Sequence, residues 1–289
     1  MASYRGSPLG IRILIGLYRL LGYRAIKLFV FFIALFYAVV SSSKRFELYG
    51  YYGRVGLKPS WMTYLRHVNS FALTIFDRFI AGAGVQAERI DVERVNVENF
   101  EHIARSGGVV ILSHLGNWAQ SFKIFQTYEV TLNIVMAEAI GEELSAVENL
   151  AASNERVNII NMNEGMQAVV EIAGALLRKE VVIMMADRIV NRDKAVALPF
   201  LGAPAYFNGG PFEIARMRGT PLVGLSIVRS GDERLKIIVS DIIETKDAEV
   251  RESMQRYAAF LETSVRAYPL QWFNFYDFWK MEEKEEVTA

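Results

Sequence analysis

Val109–Gln120, VVILSHLGNWAQ, is the stretch on which the reading of this chain turns. Four consecutive apolar residues, Val109 to Leu112, follow the breaker pair Gly107-Gly108, the pattern of a short strand buried on both faces. The character then changes within two residues. Ser113 and His114 fall where such a strand ends, and Gly116-Asn117 permits a tight turn into a helix carrying Trp118, Phe122 and Phe125 at helical spacing. An imidazole is thereby held at the carboxyl end of a buried strand, the edge of an open α/β sheet at which ligands bind. Histidine titrates near neutrality, so a base for proton transfer is one reading of His114; a polar residue satisfied by neighbouring backbone is the other.

Outward from this stretch, strands and helices alternate. Pro59-Ser60 opens an apolar-faced helix bearing His67 and Asp77, both read as surface or structural side chains, and Gly82-Ala83-Gly84 ends it. Tyr49–Leu57 before it reads as a Gly/Tyr-rich connector. Ile90–Val97 has the alternation of a strand and Glu98–Arg105 the pattern of a helix. Beyond the central stretch, strands at Thr131–Met136 and Val157–Ile160 are interleaved with helices over Glu142–Asn154 and Met166–Arg178, and a last helix covers Asp247–Ala267. Val181–Ala186 (VVIMMA) is a second buried strand that also ends in polar residues, Asp187-Arg188. The alternation predicts a sheet covered on both faces, with neighbouring strands delivering His114 and Asp187 to one edge.

Composition narrows the functional classes. Of 289 residues 52% are apolar and 22% charged, enough to bury a large core. Lys+Arg and Asp+Glu are equal at 32 each, and no basic-plus-aromatic signature appears, so nucleic acid is set aside as a partner. The absence of cysteine excludes a disulfide scaffold and a Cys-based zinc site, and His67, His102 and His114 lack metal-ligand spacing.

The N-terminus is the most hydrophobic region. Leu28–Val40 is thirteen residues without a charge, too short to span a membrane alone. Extending it to Leu9 adds Arg12, Arg19, Arg24 and Lys27, which on one continuous helix fall within an arc of roughly 140°. A basic stripe on an apolar helix, with Lys44 and Arg45 following, suits the surface of an anionic membrane. A monotopic or partly inserted anchor is therefore expected; a true span, a signal peptide cut after Ser41-Ser42-Ser43 and a buried core helix are the alternatives.

His-Leu-Gly-Asn-Trp at 114–118 resembles the signature of the lysophospholipid acyltransferase superfamily, in the branch of the late lipid A biosynthesis acyltransferases. There the motif is normally completed by Glu; here Ala119 stands in its place. Asp187-Arg188, the PFLG of 199–202, Gly210-Pro211 opening a helix, the Pro221-led strand ending in Arg229, and QWFNFYDFW at 271–279 are similar to the same branch. The resemblance runs from about residue 10 to 280. It implies an acyltransferase-like α/β fold: a central mixed sheet flanked by helices over 46–280, an N-terminal membrane-associated helical segment over 1–45 and a charged tail over 281–289. HLG, Asp-Arg and the closing motif most resemble relatives encoded with polyketide-like pathways, and the lipid A glycyltransferases are a related class.

The function so implied is transfer of an acyl group from a carrier-protein thioester to a hydroxyl of a lipid or glycolipid acceptor such as lipid A, at the cytoplasmic face of a bacterial inner membrane, with no cofactor or metal. Aminoacyl (glycyl) transfer to lipid A and a non-catalytic lipid- or partner-binding relative are the alternatives. Such a reaction needs a base for the alcohol proton, a site for the oxyanion and exclusion of water. In the resembling enzymes the His base is oriented by the carboxylate five positions later, which Ala119 cannot replace. Asp187 is the first candidate substitute, with Glu138 and Glu213 as others; an ion pair with Arg188 or Arg192 is the structural alternative for Asp187. Lys123, Arg188, Arg192, Lys194 and Arg229 suit a phosphorylated acceptor or a carrier's phosphopantetheine arm, or are solvated charges. Asn117 and Gln120 join the binding candidates. Gly209 and Gly210 offer a helix N-terminus as a phosphate cradle, or a plain helix start.

Overall fold

The computed structural model describes residues 8–82, 91–118, 128–136, 156–189 and 191–280, the side chains of 8–15 and 79–82 excepted. Expectations for Ala119, Gln120, Phe122, Lys123, Phe125, Glu138, the helix over Glu142–Asn154 and the tail over 281–289 lie outside these residues.

Among the described residues seven strands form one mixed sheet: β1 (Asp91–Val95), β2 (Gly108–Leu112), β3 (Leu132–Met136), β4 (Val157–Asn161), β5 (Val181–Met185), β8 (Leu222–Gly231) and β9 (Arg234–Val239). Their order is β1-β9-β8-β2-β5-β3-β4, parallel throughout except where β8 and β9 form an antiparallel hairpin. β2 sits in the interior of the sheet, and its all-apolar sequence follows from that position. Val109 and Ile111 pack into one layer, Val110 and Leu112 into the other, and all four are essentially inaccessible. Each such burial contributes on the order of 2 kcal/mol. Helix α4 (Val97–Ser106) covers one face through Phe100, Ile103 and Ala104. On the other, α5 (Met166–Leu177), α6 (Gly210–Arg218) and α7 (Val250–Ala267) close the core around Ile172, Phe212, Tyr257 and Leu261. A separate hairpin, β6 (Ala195–Phe200) and β7 (Ala203–Asn208), turns through Leu201 and Gly202.

Among the described residues three α-helices precede the sheet: α1 (Pro8–Val40), α2 (Arg45–Arg54) and α3 (Trp61–Gly82). α2 occupies most of the expected connector. Its two glycines disfavour helix, but Leu48, Tyr51 and Tyr52 fall at i, i+3 and i+4 and are buried, so packing overrides propensity. α3 begins where Ser60 Oγ accepts the backbone N–H of Thr63. α1 lies along α3, burying Tyr18, Tyr23, Ile26 and Val30 with Leu73 and Phe76, and placing Ala34 and Ala38 in the main core. Its other side exposes Leu28, Phe29, Phe32, Phe36, Val39 and Val40. Gly16–Val40 is long and apolar enough to cross a membrane by length and composition. The expected single basic stripe is interrupted, because Gly22 (φ 76°, ψ 176°) breaks the helix and resets the phase between Arg19 and Arg24/Lys27. Lys27 pairs with Asp232, and Tyr18 donates to Glu233, so α1 also grips the β8–β9 turn.

His67 and Asp77, read as structural or surface residues, are both buried on α3. His67 Nε2 lies 3.1 Å from the Trp272 carbonyl, which can only accept, so Nε2 carries the proton and Nδ1 accepts from the Tyr52 hydroxyl. Burial lowers the His67 pKa from 6.5 to about 4, against the smaller upward pull of the Trp272 carbonyl. The folded state thus binds a second proton, on Nδ1, less tightly than the unfolded chain. Its contribution is complete above pH 6.5 and is lost as pH falls toward 4, by roughly 3 kcal/mol. Urea unfolding across this window should show that decline, and His67→Gln should be less stable at pH 7 with a flatter pH dependence. Equal slopes in the two proteins would refute the assignment.

Candidate active site

β2 and β5 pair in parallel with Leu112 opposite Met185. His114 and Asp187 each lie two residues beyond that last pair, so the register that buries the two strands also sets these side chains side by side. Asp187 Oδ1 is 2.8 Å from His114 Nδ1, and Asp187 Oδ2 accepts the backbone N–H of His114, also at 2.8 Å. The His114 side chain is 12% exposed and Asp187 is fully buried.

Burial alone would raise the Asp187 pKa. The charge and two hydrogen bonds of His114, with Arg188 beyond, outweigh it and lower the pKa to about 2. An ionised carboxylate only accepts, so the neutral imidazole carries its proton on Nδ1 and presents the Nε2 lone pair. Two further donors reach Asp187 Oδ2, the Trp272 indole N–H and the Asn274 amide, each at 3.1 Å. The arrangement holds an imidazole in one tautomer beside a fixed negative charge, which is what a proton-accepting histidine requires.

The loop after β2 is held by backbone contacts on both sides. The Gly116 N–H donates to Gln271 O, Asn117 N–H to Ile227 O, and Phe273 N–H to His114 O. Gly116 has φ +71°, and a Cβ there would overlap the backbone oxygen of Ile227, so this position of the motif tolerates only glycine. Beneath the loop, the buried Tyr257 hydroxyl donates to Leu112 O.

The remaining candidates are placed differently from one another. Asn117 is buried, with its Oδ1 accepting from Arg78 Nε at 3.2 Å. Arg188 does not pair with Asp187; its Nε donates to Asn274 Oδ1 at 3.1 Å. Arg192 and Lys194 lie in an exposed turn, and Lys194 pairs with Glu213. Gly209 and Gly210 start α6, where Asn208 Oδ1 takes the Gly210 N–H. Asn208 N–H itself donates to Ala186 O, which puts this helix start beside the end of β5. Arg229 is largely buried against Asp77 and Tyr23, where burial pulls its pKa down to about 10, still cationic at neutral pH. Trp272, Asn274, Gln271 and Tyr257 were not singled out from sequence. They come from segments more than forty residues distant from their partners, and although Gln271, Trp272 and Asn274 belong to the closing motif, nothing in it points to Asp187.

The model of the bacterial lipid A biosynthesis acyltransferases matches residues 67–281, and the chain belongs to that family. No curated protein matches it. Among solved structures it is similar to the 1-acyl-sn-glycerophosphate (LPA) acyltransferase PlsC from Thermotoga maritima, at 15% identity and TM-score 0.42, covering 84% of this chain and 96% of that one.

Gly116→Ala should destabilise the protein by about 2–3 kcal/mol or more, since it adds a clash to left-handed strain. Thermal unfolding would register it; an unchanged Tm would show that the loop can move away from β8.

Proposed function

We propose that this acyltransferase family member moves an acyl group from a carrier-protein thioester to a hydroxyl of a lipid or glycolipid acceptor such as lipid A, with His114 as base and Asp187 as the carboxylate that orients and stabilises it. The observation that carries this reading is the 2.8 Å contact between His114 Nδ1 and Asp187 Oδ1, which supports a functioning pair despite Ala119. His114 Nε2 takes the acceptor's hydroxyl proton as that oxygen attacks the thioester carbonyl. The tetrahedral intermediate collapses, the C–S bond breaks, and the imidazolium returns the proton to the departing thiolate. Asp187 stays ionised throughout and stabilises the transient imidazolium. The ordered pair weighs against the non-catalytic reading. An aminoacyl donor would use the same proton transfers and is distinguished by the mass of the product.

For the donor, the exposed turn bearing Arg192 and Lys194 follows β5 closely and suits an acidic carrier protein. For location, residues 1–45 form the membrane-associated segment, as a peripheral or single anchor at the cytoplasmic face of the inner membrane, and 46–280 the acyltransferase domain. The exposed Phe29, Phe32 and Phe36 support this, each large apolar side chain adding on the order of 2 kcal/mol when buried in lipid.

Two experiments test these readings. His114→Ala should abolish thioester-dependent acylation of lipid A with the fold intact, and Asp187→Asn should lower kcat by about 10²-fold or more, because it removes charge and keeps shape. Wild-type kcat in either variant would refute the corresponding role. Separately, Phe29→Glu, Phe32→Glu and Phe36→Glu combined should move the protein from the membrane to the soluble fraction with helical content preserved. Full retention in the membrane fraction would refute the anchor.

A further inference from the structure

We infer that the C-terminal segment Gln271–Asn274 is part of the acid–base machinery, with Trp272 and Asn274 acting as positioning residues that set the charge and orientation of Asp187. The inference rests on the pairing of His114 with Asp187 proposed above and extends it to residues that touch no substrate.

The two Asp187 oxygens are used unequally. Among the described residues Oδ1 faces only the imidazole Nδ1, whereas Oδ2 takes three donors: His114 N–H, Trp272 Nε1–H and Asn274 Nδ2–H. Three donors fix the carboxylate's rotation, so that Oδ1 has one direction available, toward His114. They also draw negative charge to Oδ2, which keeps Asp187 from binding the imidazole proton too tightly. Both donors are themselves held. Asn274 is 3% exposed, and its amide orientation is set because Arg188 Nε can only donate, to Oδ1, which turns Nδ2 to Asp187. Trp272 is 1% exposed, and its carbonyl accepts from His67, fixing the residue from the other side. The segment is bound to the loop after β2 by Gly116 N–H to Gln271 O and Phe273 N–H to His114 O, so it cannot leave without releasing His114. A side-chain amide and an indole aligned on one buried carboxylate, with a guanidinium fixing the amide from behind, exceed what packing of an aromatic segment requires.

Removing either donor frees the carboxylate to rotate, and Oδ1 is no longer aimed at the imidazole. The hydrogen bond from His114 Nδ1–H to Oδ1 must change, and its proton reports that directly. A merely structural role would lower the folded fraction and leave that signal in place. Only three histidines are present, so imidazole signals from full-length protein labelled with ¹⁵N-histidine, in detergent micelles, are assignable by single substitution. In Asn274→Leu and Trp272→Phe the His114 Nδ1–H signal is expected to shift or to vanish into exchange with water. kcat for transfer from a carrier-protein thioester to lipid A should fall about 10-fold with KM unchanged, because the imidazole is no longer held in line. Asn274→Leu leaves the aromatic core whole should Trp272→Phe fail to fold. An unmoved Nδ1–H signal in a folded variant overturns the inference. A shifted signal together with an active His114→Ala leaves the segment's hold on the pair standing and overturns the catalytic reading on which it rests.

Discussion

Placing the Asp187 carboxylate out of reach of water costs several kcal/mol, and the chain offsets that cost only by bringing four hydrogen-bond donors to it from positions 73 to 87 residues away. Much of the architecture around the sheet edge follows. The donors on His114 arrive because β2 and β5 are register neighbours. Those on Trp272 and Asn274 arrive because the chain, after leaving α7, runs back across the ends of these strands. An unpaired carboxylate here would favour any state in which it reached solvent, so the buried charge selects the closed arrangement over looser ones.

The C-terminal segment in turn needs its own supports, and these tie the N-terminal helices to the sheet. Tyr51 of α2 donates to Pro269 O, His67 of α3 to Trp272 O, and the Gln271 side chain brackets Arg229 by accepting its N–H and donating to its carbonyl. Arg229 reaches on to Asp77 of α3 and Tyr23 of α1. The apolar surface of α1 and the His114–Asp187 pair are thus connected through buried polar contacts of short reach. Such networks are rigid when every member is satisfied, and they transmit the loss of any one member.

The legible parts were those written in local pattern. Val109–Leu112 and Val181–Met185 announce themselves as buried strands, and the polar residues ending each place His114 and Asp187 at one edge. What joins them, the register of Leu112 with Met185, is a tertiary fact that two separate strand patterns make plausible without fixing. Three features were hidden for identifiable reasons. Glycines at 50 and 53 masked α2, whose stability comes from burying Leu48, Tyr51 and Tyr52. Gly22 reads as one weak position in a long helical pattern, yet its positive φ divides the basic stripe. Trp272 and Asn274 were visible only as part of an aromatic run, since the partners of their side chains lie 85 to 87 residues away along the chain.

On the function proposed above, Asp187 does for His114 what a carboxylate at position 119 does in the resembling enzymes. A carboxylate supplied five positions along the chain from a histidine depends on the local course of one turn. A carboxylate supplied by the neighbouring strand depends on the ladder, and a one-residue slip would carry Asp187 to the opposite face together with every buried side chain of β5. The pairing is then as well determined as the core itself. It carries a consequence that a carboxylate on a surface turn escapes: at the end of an interior strand the charge is sealed from water, and the covering segment must supply donors as well as apolar surface. Trp272 and Asn274 supply both, which is why an aromatic C-terminal segment carries an indole and an amide where leucine or phenylalanine would fill the same space.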